Sequence, residues 1–251
     1  MIAGPAAQFD QIASFYDELM AGVPYGQWVQ YLEQLLIKLK CRPETVLDLC
    51  CGTGSVSLLL GKKGYSVSGS DVSPAMIEIA RRKARDARTA IDFHVQDASE
   101  LRLGRRFDLV ISLFDSLNYI LDSASLQQVF YRVFGHLNSG GLLIFDMNTE
   151  LALAEGLFNQ NNLGSRSPLL YDWRSSYDPA ARLCTIHMTY VHRRGAAAKR
   201  LEVTHYQRAH DEEQIVEMLE SAGLKVPAVY HAYSFRKATK RSDRLFFIAR
   251  K

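Results

Sequence analysis

Short apolar segments alternate with amphipathic segments over residues 45–147 of this chain. The apolar segments have the length of strands and are rich in Val, Ile, Leu and Phe, as expected where helices cover both faces of a sheet. We predict strands at residues 45–51, 66–71, 91–96, 107–114 and 141–147. This alternation predicts parallel β-α-β units, and therefore an α/β fold with a doubly wound sheet.

Helix-like segments separate the predicted strands. Ser73 precedes a proline at the start of one of them and Ser123 begins another, so both serines are predicted N-caps. We predict helices at residues 55–63, 74–87 and 123–137, after an amphipathic helix around Trp28. The first dozen residues are small and polar, so we expect a frayed end there.

The pattern changes after Thr149. Residues 151–167 are rich in Asn, Gly and Ser, which indicates a short helix followed by a long loop. Three consecutive strands are predicted at residues 169–177, 183–192 and 200–209, with turns at Asp178-Pro179 and Gly195. A helix at 211–222, with Asp211 as N-cap and Gly223 after its end, and strands at 226–235 and 244–250 complete the chain.

These elements predict two units. An α/β domain comprises residues 1–150 and 210–251, and an antiparallel β insertion at 168–209 forms a cap or a dimer surface. We leave open whether the protein is a monomer or a homodimer.

Composition limits the class of protein. Hydrophobic residues make up 47% of the 251, which is enough for a substantial core. No apolar segment approaches the roughly 18 residues that span a bilayer, and the N-terminus lacks a signal-peptide pattern, so we expect a cytoplasmic protein. The four cysteines form no CxxC pair or His/Cys cluster, so we predict no metal site.

Basic residues are concentrated near the C-terminus, although the formal net charge is only +3. Such a cluster is typical of a solvated loop, and contact with nucleic acid is the alternative. Its members are Arg236, Lys237, Lys240, Arg241 and Arg244.

Residues 46–54, VLDLCCGTG, join the first predicted strand to a glycine loop and then to a helix. Glycines here let the backbone turn tightly and approach a ligand, and the helix N-terminus offers free N–H donors. The third glycine of the dinucleotide fingerprint is replaced by Ser57, which disfavours an NAD enzyme. Asp48 lies just before the loop, where an acid suits a cationic ligand better than a pyrophosphate.

Two further acids follow the next strands. Asp71 ends the second strand, where a carboxylate can accept both ribose hydroxyls. Asp97 follows the third strand, where it could accept from an adenine amino group. Because ligands bind at the carboxyl ends of parallel strands, the three acids together predict one site for a cationic nucleoside.

The segments VLDLCCGTG at 46–54, GSDVSPAM at 69–76 and QDA at 96–98 resemble the first three motifs of class I S-adenosylmethionine-dependent methyltransferases. Residues 107–114 and 140–145 resemble the fourth and fifth. The resemblance implies a Rossmann-like seven-stranded sheet with one antiparallel strand near the C-terminus, and S-adenosylmethionine as the cofactor. It implies a cofactor site formed by Asp48, Cys50, Gly52, Thr53, Gly54, Asp71, Val72, Met76, Asp97, Ala98, Leu113 and Phe114.

A narrower resemblance concerns the methyl acceptor. Phe-Tyr-Asp at 15–17, Asn-Tyr-Ile at 118–120 and a β insertion after the fifth strand are similar to small-molecule methyltransferases, among them sugar N,N-dimethyltransferases. This resemblance implies that Tyr16 closes over the cofactor and that Tyr119 positions the acceptor. We predict Tyr16, Asn118 and Tyr119 as the catalytic residues. Aromatic residues of the insertion are expected to line a ligand pocket or a dimer interface, namely Tyr171, Trp173, Tyr190, His205 and Tyr206.

Several functions remain open at this point. We favour methyl transfer to a nitrogen or oxygen atom of a small molecule. The alternatives are methylation of RNA or protein with the help of the basic segment, and a non-catalytic ligand-binding protein of the same fold. No Pro-Pro-Tyr/Phe motif follows the fourth strand, which disfavours methylation of base amino groups in DNA.

Overall fold

The computed structural model describes residues 4–194 and 197–251, and within them a seven-stranded sheet forms the centre of the molecule. Its strands lie in the order β10-β11-β5-β4-β1-β2-β3, and β11 runs antiparallel to both of its neighbours. The strands are β1 (Thr45–Leu49), β2 (Ser66–Asp71), β3 (Asp92–Val95), β4 (Phe107–Ser112), β5 (Leu137–Asn148), β10 (Lys225–His231) and β11 (Arg244–Arg250). The predicted α/β class, with one antiparallel strand near the C-terminus, is confirmed.

Helices cover both faces of this sheet, and each face has its own apolar cluster. Leu126, Val129 and Phe130 represent the cluster on one face, and Leu32 and Leu35 the cluster on the other. The helices are α1 (Pro5–Asp10), α2 (Ala13–Leu19), α3 (Tyr25–Lys38), α4 (Ser55–Lys62), α5 (Pro74–Asp86), α6 (Ser123–His136), α7 (Glu150–Ala154) and α8 (Glu212–Ser221). Among the helices of the described residues, none is long and apolar enough to cross a membrane.

A second, antiparallel sheet contains β6 (Gln160–Asn161), β7 (Leu169–Asp178), β8 (Leu183–Arg194) and β9 (Ala197–Arg208). The three long strands were predicted. The short β6, which pairs with Asp172 and Trp173 of β7, lies in a segment predicted to be a loop. The predicted turn at Gly195 lies outside the described residues.

The N-terminal segment is ordered, so the expected frayed end is wrong for the described residues from Gly4 onward. Phe9, Ile12 and Phe15 are spaced three residues apart and pack into an apolar cluster with the antiparallel sheet. This spacing puts the three side chains on one side of the segment that contains α1 and α2. Because the residues between them are small or polar, this helical spacing was not recognised in the sequence.

The helix caps differ from prediction at one position. Ser73 caps α5 as predicted, since its hydroxyl oxygen accepts from the Met76 N–H at 3.1 Å. Helix α6 is capped by Asp122 instead of the predicted Ser123, because the Asp122 carboxylate accepts from the Ser125 N–H at 2.8 Å. Asp211 is the N-cap residue of α8, but its side chain pairs with Arg182 and makes no capping bond.

Candidate active site

A cavity of about 380 Å³ lies at the carboxyl ends of β1, β2 and β4. We call the part formed by the strand ends and their loops, from Asp48 to Ser116, the strand-end half. The opposite part contains side chains of the N-terminal helices, the segment after β5 and the antiparallel sheet. We call it the aromatic half, and its rings include Phe9, Tyr16, Phe158, Tyr171, Trp173, Tyr190 and His205, with Tyr119 at the border.

The loop after β1 has left-handed backbone conformations at Cys50, Gly52 and Gly54. Gly52 lies on the cavity wall, and a Cβ added to it would meet nothing within 4 Å. At Gly54 an added Cβ would lie only 2.9 Å from Cζ of Phe93, behind the loop. The small size of Gly54 is therefore needed for packing, and Gly52 is the glycine that leaves space at the cavity. The contact of Gly54 with a ligand stays a prediction.

Asp48 lies buried beneath this loop, with 3% of its surface exposed. Its carboxylate accepts a 2.5 Å hydrogen bond from the hydroxyl of Ser57, the residue that replaces the third glycine of the dinucleotide fingerprint. Burial raises the pKa of Asp48 to about 7, and the Ser57 hydrogen bond opposes that rise. A nearby cation would favour the ionised form.

Asp71 and Asp97 line the cavity and also organise their own loops. The Asp71 carboxylate accepts from the N–H of Gly52 at 2.8 Å and from that of Ser73 at 2.9 Å. Burial raises the pKa of Asp71, and these backbone hydrogen bonds lower it. Asp97 accepts from the N–H of Ser99 at 2.8 Å and caps a short 3₁₀ helix. Each carboxylate has lone pairs left for a ligand.

The turn after β4 is strained, because Phe114 and Asp115 both have positive φ angles, of 69° and 48°. The carboxylate of Asp146 on β5 holds this turn by accepting from the N–H of Phe114 at 2.7 Å and from that of Asp115 at 3.1 Å. Arg244 of β11 donates to Asp146 at 2.5 Å and pairs with Asp115 at 2.7 Å. An ion triad therefore fixes the floor of the cavity.

This triad was missed in the sequence. Arg244 was assigned to the exposed basic cluster, but its side chain is only 17% exposed. Strand β11 pairs antiparallel with β5, and this pairing places Arg244 opposite Asn148, close enough to reach Asp146. The spacing of residues along the chain does not predict that pairing. Arg236, Lys237, Lys240 and Arg241 are exposed in the segment between β10 and β11.

The charges of the cavity wall favour a cationic ligand. Among the described residues, the wall carries Asp48, Asp71, Asp97 and Asp115, and its one guanidinium, from Arg244, is already held between two carboxylates. The buried hydroxyl of Ser70, also on the wall, has no hydrogen-bond partner in the described part of the chain. Excess negative charge, an open glycine and a free hydroxyl fit a nucleoside that bears a positive charge.

The N-terminal helices are fastened across the strand-end half. Asp17 of α2 accepts from the Thr53 hydroxyl at 2.6 Å and pairs with Lys83 at 2.8 Å. Asp10 of α1 accepts from the Ser73 hydroxyl at 2.5 Å. Tyr16, between these two contacts, lines the cavity.

Asn118 and Tyr119 have different surroundings. Tyr119 lines the cavity, and its hydroxyl lies 3.3 Å from Nδ1 of His205. Asn118 is fully buried and lies outside the cavity wall. Its amide donates to the carbonyl oxygens of Asn148 and Arg208 at 3.1 and 2.9 Å, and its oxygen accepts from the Asn148 N–H at 2.9 Å. Its polar atoms therefore join the two sheets, and the catalytic role of Asn118 stays a prediction that these contacts do not support.

The remaining predicted site residues reach the cavity, except one of the aromatic residues. Tyr206 lies outside the wall because it alternates with His205 along β9. The predicted cofactor and catalytic residues found on the wall are Tyr16, Asp48, Cys50, Gly52, Thr53, Asp71, Val72, Met76, Asp97, Ala98, Leu113, Phe114 and Tyr119.

Comparison with known proteins adds three relatives and a family model. Residues 46–141 match a model described as a methyltransferase domain. YqeM of Bacillus subtilis, which is named as a methyltransferase, is 33% identical over 97% of both chains. The crystal structure of an S-adenosylmethionine-dependent methyltransferase from Clostridium acetobutylicum is similar at a TM-score of 0.86 and 30% identity, covering 96% of this chain and 98% of that one.

A third relative is similar over part of its length. The dTDP-3-amino-3,6-dideoxy-alpha-D-glucopyranose N,N-dimethyltransferase of Streptomyces fradiae is 30% identical over 57% of this chain and 56% of its own.

Proposed function

We propose that this chain, which belongs to the family of S-adenosylmethionine-dependent methyltransferases, methylates a nitrogen or oxygen atom of a small molecule. One observation carries the proposal: the same cavity joins a negatively charged strand-end half to an aromatic half. Aromatic walls with a few polar groups are typical of small-ligand pockets.

In this proposal the strand-end half holds S-adenosylmethionine. Asp71 would accept from the ribose hydroxyls with the lone pairs that Gly52 and Ser73 leave free. Asp97 and Ala98 would lie beside the adenine, and Asp48 and the glycine loop near the methionine part. When bound, S-adenosylmethionine supplies a methyl group on a positively charged sulfur.

The protein's own contribution is alignment. The strained turn at Phe114 and Asp115 is locked by Asp146 and Arg244, so the border between the two halves is fixed before any ligand arrives. Helices α1 and α2 cover the cavity and exclude water from the reacting atoms. Holding the reacting groups in alignment can lower the activation barrier by up to about 7–11 kcal/mol.

The aromatic half would hold the acceptor. We infer that the antiparallel sheet acts as a cap over it, since Tyr171, Trp173, Tyr190 and His205 all come from that sheet. The name of the Streptomyces fradiae relative describes an amino-sugar acceptor, which supports an amine as the first class to test.

A second candidate is methylation of RNA or protein. The observation in its favour is the exposed basic segment between β10 and β11, which lies at the edge of the sheet where β10 ends. The burial of Arg244 removes one cation from that segment and weakens this candidate.

Methylation assays distinguish the candidates. In three separate assays, the protein is incubated with S-adenosylmethionine and one acceptor, and the formation of S-adenosylhomocysteine is measured. The acceptors are dTDP-3-amino-3,6-dideoxyglucose, catechol and total RNA. We expect turnover with the amine or the phenol. RNA methylation that falls steeply with salt, without turnover of either small molecule, would contradict the proposal and support the second candidate.

A further inference from the structure

His205 lies three residues before the end of β9, almost fully buried, and forms part of the wall of the aromatic half. Both of its ring nitrogens have partners. Nε2 lies 3.1 Å from the backbone carbonyl oxygen of Gln8 in α1, and Nδ1 lies 3.3 Å from the hydroxyl oxygen of Tyr119. The ring therefore connects the N-terminal helix to the residue at the border of the two halves.

These partners determine which nitrogen carries the proton. A carbonyl oxygen can only accept, so Nε2 must be the donor to Gln8. Burial lowers the pKa of His205 to about 4, so the ring is neutral at pH 7 and Nδ1 retains a lone pair. The Tyr119 hydroxyl must then donate its hydrogen to Nδ1.

The direction of this hydrogen bond controls what Tyr119 offers to a ligand. Burial keeps the pKa of Tyr119 well above its usual value, and Asp115 adds to that effect, so the hydroxyl stays protonated with its hydrogen directed at His205. The nearby Gln207 side chain, whose amide donates to Asp115 at 2.6 Å, opposes the rise in pKa. The oxygen lone pairs then remain as acceptors, and no hydrogen is available to a ligand.

Phe9 packs against both rings of the arrangement. Its ring centroid lies 4.9 Å from those of both Tyr119 and His205. Helix α1 therefore supplies both the carbonyl that orients His205 and a ring that packs against the pair.

Building on the proposed function, we propose that the Gln8 carbonyl, His205 and Tyr119 form a hydrogen-bond relay that makes Tyr119 a pure hydrogen-bond acceptor in the aromatic half. The relay selects a methyl acceptor whose reacting atom carries an N–H or O–H, such as a primary or secondary amine or a hydroxyl. Tyr119 contacts that group, and His205 is a positioning residue. The N–H or O–H would donate to Tyr119, which leaves a lone pair of the same atom to form the bond to the methyl carbon while the bond from that carbon to the sulfur breaks. S-adenosylhomocysteine would be the leaving group, and the methylated atom would lose its proton to solvent, because the Tyr119 hydroxyl is already protonated.

The first test is ¹⁵N NMR of the histidine rings of the full-length protein at pH 7.5, without ligands. His205, assigned by the loss of its signals in His205→Asn, should carry its proton on Nε2. Tyr119→Phe should move the Nδ1 resonance downfield because the lone pair loses its donor, whereas Tyr177→Phe, whose hydroxyl bonds Glu150, should not. A proton on Nδ1, or an Nδ1 resonance unchanged by Tyr119→Phe, would overturn the relay.

The second test measures selection with two probes of the same shape, aniline and toluene, in the presence of S-adenosylhomocysteine. Aniline should bind the wild type about 3- to 10-fold more tightly, as expected for one hydrogen bond. Tyr119→Phe should abolish that preference, and His205→Leu should reduce it, because the tyrosine hydrogen is then free to point at the cavity and no longer fixes the hydroxyl as an acceptor. His205→Asn should restore part of it, since its side-chain oxygen can accept from Tyr119.

Affinity for S-adenosylhomocysteine should stay within about 2-fold in all three variants, which separates the relay from a general loss of structure. Equal binding of the two probes to the wild type, no measurable binding of either, or a preference that survives Tyr119→Phe would overturn the proposal. Both tests are independent of turnover. The relay can therefore fail in an enzyme that methylates small molecules, and it can hold in one that methylates RNA.

Discussion

The two halves of the cavity are built in different ways. The strand-end half comes from consecutive loops of one sheet, and its acids Asp48, Asp71 and Asp97 each belong to a neighbouring strand end. The aromatic half is assembled from the N-terminus, the segment after β5 and the antiparallel sheet. One half is a local consequence of the α/β fold, and the other exists only once distant segments have packed. Because the two halves come from different segments, we expect substitutions in the aromatic half to change the choice of acceptor without changing the binding of the cofactor.

The largest effect is expected at the border between the halves. Arg244→Ala leaves Asp115 and Asp146 buried without their cation, and we expect the free energy of unfolding to fall by about 3–5 kcal/mol. Arg241→Ala, on the exposed part of the same segment, should change it by less than about 0.5 kcal/mol. Urea unfolding measures both. Similar values for the two variants would show that the triad does not join the halves.

The two loop glycines provide a matched pair within the strand-end half. Gly54→Ala forces a Cβ against Phe93 in a left-handed conformation and should lower the free energy of unfolding by about 2–4 kcal/mol. Gly52→Ala carries only the backbone strain and should cost about 1–2 kcal/mol. Calorimetry should nevertheless show the larger loss of cofactor affinity in Gly52→Ala. The reverse order of affinities would mean that Gly54 faces the ligand after all.

Asn118 tests the junction of the two sheets. Asn118→Ala removes three buried hydrogen bonds, and we expect a loss of about 1–3 kcal/mol in the free energy of unfolding. Asn118→Asp should also be destabilised, since it keeps an acceptor but loses the two N–H donors. Cofactor affinity should change less than about 2-fold in both. If the Asn118→Ala protein were as stable as the wild type but lacked methyltransferase activity, Asn118 would be a catalytic residue.

The last prediction concerns the affinity for the cofactor. Asp71→Ala should weaken binding of S-adenosylmethionine about 10- to 100-fold, or about 1.4–2.7 kcal/mol, because charge-assisted hydrogen bonds are lost. The exposed Asp92→Ala on β3 is the control and should bind normally. Calorimetric titration compares them, and equal affinities would remove Asp71 from the proposed site.

The same contrast explains what the sequence could predict. The α/β alternation, the glycine loop and the acids at strand ends depend on neighbours along the chain, so they were located correctly. The ordered N-terminal helices, the Arg244 triad and the partners of His205 depend on how distant elements pair. No spacing reports that β11 inserts beside β5, or that Gln8 of α1 reaches β9.

Two predicted site residues, a glycine and an asparagine, lie outside the cavity wall for a related reason. Gly54 and Asn118 have the right residue type next to the right strand, but their direction depends on Phe93 and on Arg208, which come from elsewhere in the chain. Residue type and strand position predict which loop forms the site. They do not predict which face of that loop the ligand meets.

A crystal structure with bound S-adenosylhomocysteine tests the central claim most directly. We predict the ribose hydroxyls within hydrogen-bond distance of Asp71, the adenine beside Asp97 and Ala98, and the sulfur directed toward Tyr16 and Tyr119 in the aromatic half. A sulfur that faces away from that half, or a ligand bound outside the cavity, would contradict the account.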